Sequence, residues 1–168
     1  MSVLTLNTSQ QYLVDSAQAA ATRGQIDSYL SGLSPSNKAD LTAAVNQILP
    51  IVSAQLDTIS RELKSVGLVL SDTMAYSQQF QAEVKALSFS AANNLLTKSD
   101  TGQTGEGKQV FLDNNFELVK QYRFKQSLAD FYSKYSAHLQ DRRERLTTSM
   151  QTLSTVHDNL TMILDSVK

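Results

Sequence analysis

Few side chains in this sequence are spaced for chemistry. From Gly102 to Gln109 the chain reads GQTGEGKQ, the GxxxxGK part of a phosphate-binding loop, in which backbone amides cradle phosphates and the lysine meets the terminal ones. Gln109 stands where such a loop needs Ser or Thr to hold magnesium, and the preceding LLTKSD does not read as the buried strand from which the loop must emerge. A glycine-rich hairpin tip is the simpler reading. The two histidines, His138 and His157, are far apart on one expected helix and lack an acidic or histidine neighbour at ligand spacing on the same face, so no metal site is expected. The absence of cysteine excludes a disulfide scaffold, a thiolate zinc site and a cysteine nucleophile together. Serines are plentiful, but none sits in a strand-turn-helix context, and paired carboxylates converge on no expected cleft. The sequence therefore points away from an enzyme and names no cofactor.

Seven of the twelve Phe and Tyr residues crowd into positions 111–135. Phe124, Phe131 and Tyr135 lie close to one helical face with Leu128, which predicts that they fill a core, whereas Tyr122 and Tyr132 lie off that face and are candidates for exposed contacts. Lys120, Arg123 and Lys125 are interleaved with these rings, a pattern that suits single-stranded nucleic acid. A net charge of -1 and the lack of any recognised binding module argue against it, and no nucleic-acid partner is expected. Asp141, Arg142, Arg143, Glu144 and Arg145 read as a solvated helix face.

The elements that must position these residues are helices. The 168 residues suit one domain with one core, and only six Gly and two Pro interrupt the chain. A first helix is expected from about Ser9 to Ser31, ended by Gly32, within a segment spanning 1–33. Ser34 then caps a second helix with Pro35 at its first position. Over 34–97 two heptad ladders run side by side: Leu49, Leu56, Leu63, Leu70, Ser77, Val84 and Ala91, and Val45, Val52, Ile59, Val66, Thr73, Phe80 and Leu87. Leucines at a with β-branched residues at d favour a four-helix layer. Pro50 falls on the outer face, where a kink is expected. Residues 98–109 read as a flexible loop, and Asn114 with Glu117 resembles a capping box near the start of a last helix over 110–168. The expected fold is all-α, an elongated helical bundle made of a long, kinked, coiled-coil-like antiparallel hairpin, about 90 Å at 1.5 Å per residue, with a shorter amino-terminal helix.

The last helix carries Leu139, Leu146, Leu153, Leu160 and Val167 every seven residues, with Met150 and Leu164 beside them. These residues, together with Tyr122 and Tyr132, are the expected interaction residues, because three helices of unequal length leave part of each apolar stripe uncovered. The expected function is non-enzymatic: assembly into a homo-oligomer, or binding of a protein partner, through coiled-coil seams. A membrane-active toxin or translocator component, with Val66 to Leu70 as its inserting surface, is one alternative, and a cytosolic chaperone or adaptor that sequesters a partner's helix is another.

Ser, Thr, Asn and Gln supply 58 of the 168 residues, more than the 15 Lys and Arg and 16 Asp and Glu together. The first charge is Asp15, so the amino terminus lacks the positive region of a classical signal peptide, and the longest uncharged internal run, Leu41 to Leu56, is too short and too polar to read as a membrane span. With this charge-free start, no cysteine and the closing helix LTTSMQTLSTVHDNLTMILDSVK, the chain is similar in style to the exported bacterial filament and translocator proteins of type III secretion. The resemblance covers the two ends and transfers no residue role; the expected location is outside the cell by a signal-less bacterial route, or the cytoplasm.

Overall fold

The computed structural model describes the backbone of residues 6–20, 22–98 and 106–168, and the side chains of 6–20, 22–89 and 116–168. Within these the protein is all-α: α1 (Thr8–Gln18), α2 (Arg23–Ser31), α3 (Pro35–Lys98) and α4 (Glu106–Val167). The expected loop at 98–109 lies largely outside the described residues. Its last four positions are helical, because α4 begins at Glu106, and Asn114 and Glu117 therefore lie within the helix instead of at its start.

The single amino-terminal helix expected from Ser9 to Ser31 is two helices. Thr22 is in extended backbone and caps α2: its hydroxyl oxygen accepts from the Gln25 amide at 3.3 Å, while the Gln25 side chain accepts from the Thr22 amide at 3.1 Å. Asn7 and Gln10 make the same reciprocal pair at the start of α1, at 2.8 and 3.2 Å. Each pair satisfies two amides that a helix start leaves without partners, which is why the chain breaks and restarts at this point. At α3 the Ser34 hydroxyl accepts from the Asn37 amide at 3.2 Å, with Pro35 in the first turn. Pro50 lies within α3, which continues through it; proline has no amide proton, so the Asn46 carbonyl lacks its usual donor there.

Contacts divide the chain into two compact units, one comprising Met1–Lys64 with Glu144–Lys168 and the other Ser65–Arg143. In the first, residues from all four helices share a core. Leu13, Val14 and Ala17 of α1, Ile26 and Leu30 of α2, Leu41, Ala44, Val45 and Val52 of α3, and Leu160 and Ile163 of α4 are all buried in it. Two polar contacts tie the short helices in place: the Tyr29 hydroxyl donates to the Leu13 carbonyl at 3.4 Å, and the Asn159 amide donates to the Gln18 carbonyl at 3.5 Å. The four-helix layer favoured by the heptad pattern is thus built within one chain. In the second unit α3 packs against α4 through the continuation of its ladders, with Val66, Leu70, Thr73 and Ser77 buried.

Leu160 is fully buried among α1, α2 and α3 residues. Leu160→Ala should cost about 2–5 kcal/mol through the lost side chain and the cavity it leaves, and Leu160→Asp should leave no folded monomer. Thermal unfolding followed by circular dichroism checks both.

Candidate functional site

The expected interaction residues separate once they are placed. Leu160 belongs to the four-helix core, with Leu153, Leu164 and Val167 half-buried against it. Leu146 and Met150 are half-buried, and Leu139 is buried in the second unit. The carboxy-terminal ladder therefore spends most of its apolar surface inside its own chain. Its covering helices are α1 and α2, which the sequence reading had merged into one.

One part of that ladder borders open space. A groove of about 1060 Å³ in the first unit is lined by Pro50, Ile51, Ala54, Gln55, Thr58 and Ile59 of α3 and by Thr148, Ser149, Thr152 and Leu153 of α4. None of these residues is charged. Three of the hydroxyls are already engaged: Thr58 donates to the Ala54 carbonyl at 2.9 Å, Thr148 to Glu144 at 3.1 Å and Thr152 to Thr148 at 3.1 Å. A threonine held this way satisfies its only donor on its own helix and leaves its methyl group to face outward. The groove is therefore more apolar than its residue names suggest. It also follows the helix rows on which the four-helix core is built: Ile51, Gln55 and Thr58 follow Leu41, Ala44 and Ile48 at spacings of three and four, and Ser149 and Thr152 lead to Val156 and Ile163. Ala54, Thr58, Thr148 and Thr152 were not singled out from sequence, and Pro50 was marked only as a kink on the outer face; the signal was the run of small residues at helical spacing beside the leucine ladder.

The aromatic segment in the second unit reverses the expectation drawn from its pattern. Phe124 and Phe131 are 61% and 58% exposed and Tyr135 is 39% exposed, whereas Tyr122 and Tyr132 are half-buried. The Tyr132 ring lies 5.4 Å from Tyr76 and 5.6 Å from Phe80 of α3, with the latter stacked, and 5.3 Å from Phe131, which in turn stacks on Tyr135 at 6.0 Å. The correction has a simple cause. Extending the Leu139–Val167 ladder backward by sevens lands on Tyr132, Lys125 and Leu118, so these positions face α3 and Phe124 and Phe131 are left outside.

Lys125 consequently occupies an inward position. Its ammonium group is hydrogen-bonded and ion-paired to the Glu83 carboxylate and lies 5.1 Å from the centre of the Phe80 ring. The same ammonium, and next the Gln79 side-chain amide at 2.9 Å, hold the Glu83 carboxyl below its ordinary value of 4.5. A depressed carboxyl pKa contributes stability that is present above 4.5 and is lost as the pH falls through the lower folded value. Lys125→Met should therefore flatten the acid side of the stability profile in that window, as measured by urea-unfolding midpoints at a series of pH values.

The other chemical candidates stand apart. His157 Nδ1 lies 3.6 Å from Asp158 Oδ1, no group of three metal-ligating side chains occurs among the described residues, and His138 is exposed. The GQTGEGKQ segment has no described side chains. Comparison with protein-family models, with characterised proteins and with solved structures finds no match to this chain.

Proposed function

We propose that this protein is a non-enzymatic helical interaction protein that assembles with further copies of itself through the open groove of its first unit, in the manner of an exported bacterial structural or secretion-associated chain. The observation that carries the reading is the groove itself: uncharged, rich in methyl groups, and continuous with the rows of α3 and α4 that pack helices elsewhere in the same unit. Small side chains at Ala54, Thr58, Ser149 and Thr152 leave room for another helix to approach closely, and apolar burial supplies the driving force. A second copy is the occupant best supported. A two-fold contact lays a patch against itself, and a patch without charge does so with no like-charge repulsion. The expected site thus contracts from the whole carboxy-terminal ladder to its stretch around Leu153.

Absolute mass from size-exclusion chromatography with light scattering, over a wide concentration range, tests this. The expected result is a concentration-dependent oligomer that Ala54→Glu with Thr152→Glu returns to monomer at unchanged helix content. A wild-type monomer at every concentration, or an oligomer indifferent to the two glutamates, overturns it.

A further inference from the structure

Laid groove on groove, two copies set Ala54, Thr58, Ser149 and Thr152 against the same small side chains, with nothing large to fill the space between them. Packed interiors tolerate few such voids, because the atoms that line a gap lose their contacts. What the groove lacks, the second unit presents. Phe124, Phe131 and Tyr135 are exposed on α4, and on a helix of 3.6 residues per turn they fall within an arc of about 40°. At 1.5 Å per residue this row of rings is about 16 Å long, and the α3 wall of the groove, from Pro50 to Ile59, is about 14 Å long.

Resting on the reading that a further copy occupies the groove, we propose that the part of that copy which enters is this row of rings, so that groove meets stripe instead of groove meeting groove. Aromatic side chains seated in a desolvated pocket are the usual anchors of a protein contact. Here they meet Ile51, Ala54, Ile59 and the methyl groups of Thr58, Thr148 and Thr152. Charge agrees with this occupant. Glu117, Asp130 and Asp141 share the stripe's side of α4 with Lys120, Arg123 and Lys134, and Glu117 lies 3.7 Å from the Lys120 ammonium. Three acids against three cations leave no net sign to be answered, which suits a groove lined by no charged residue and gives little purchase to a polyanion or a charged bilayer. Each copy offers one groove and one stripe. The contact is therefore reciprocal when two copies close about a two-fold axis, and it propagates from copy to copy when they do not.

Two variants of the full chain and their mixture test this by absolute mass from light scattering. Ala54→Glu with Thr152→Glu spoils the groove and keeps the rings, while Phe124→Gln with Phe131→Gln spoils the rings and keeps the groove. Each variant alone should be monomeric at concentrations where the wild type is assembled. Mixed in equal amounts, the two should form a heterodimer, because each supplies the half that the other lacks. Both rings are exposed and glutamine favours helix, so the helix content of the ring variant should match the wild type by circular dichroism. Phe124→Gln alone should weaken assembly in the same direction. A folded ring variant that assembles like the wild type overturns the proposal while leaving the groove as the assembly site, and so does a mixture of folded variants that stays monomeric. A wild-type monomer at every concentration, or an oligomer indifferent to the two glutamates, overturns the proposal together with the groove reading on which it rests.

Discussion

A single helix can bury only one stripe against a single neighbour, and α3 and α4, at 64 and 62 residues, are far longer than the two short helices available to cover what remains. Within each unit, the seam between the long helices is therefore the contact on which everything else depends. It fixes which side chains of each helix turn inward, hence where α1 and α2 seat, which stretch of the first unit stays open, and which rings of the second unit are left in solvent.

The two units fill that seam in different ways. In the first, valine, leucine and isoleucine meet and are closed over by α1 and α2, so cohesion comes from apolar burial. In the second, Thr73 and Ser77 are buried, and the polar atoms satisfy one another locally: the Thr73 hydroxyl donates to the Val69 carbonyl, and Ser77 accepts from the Gln81 side chain at 3.4 Å. Lys125 takes an inward position beside Glu83 and Phe80. A polar seam buries less apolar surface, and the large rings that would otherwise fill it sit on its flank. The exposed aromatic face and the polar seam are thus one feature seen from two sides.

Much of the fold was legible in the sequence because heptad periodicity reports directly on burial. The two α3 ladders name the buried or half-buried face throughout the described residues, and Ser34 with Pro35 gives the start of α3 correctly. The break in the amino-terminal helix was missed although Thr22 and Gln25 stand at capping-box spacing, because weak apolar spacing around them reads as one continuous stripe. The aromatic face was misassigned for a related reason. Phe124, Phe131 and Tyr135 form a better local stripe than Tyr122, Lys125, Ala129 and Tyr132, and local amphipathicity does not say which stripe meets the partner helix. Register carried in from Leu139 does. The groove was not legible, since it exists only where two distant rows of small residues are brought side by side.

Threonine hydroxyls bonded to the carbonyl four residues back recur along the molecule, at Thr42, Thr58, Thr73, Thr148, Thr152, Thr155 and Thr161. To anything approaching from outside, a threonine committed in this way offers hydrocarbon where its name suggests a site for water. The mean hydropathy of -0.25 counts each of these side chains as polar. The surface is oilier than that figure indicates, and a chain nearly a fifth of which is charged on paper can still adhere through stretches where no charge is written.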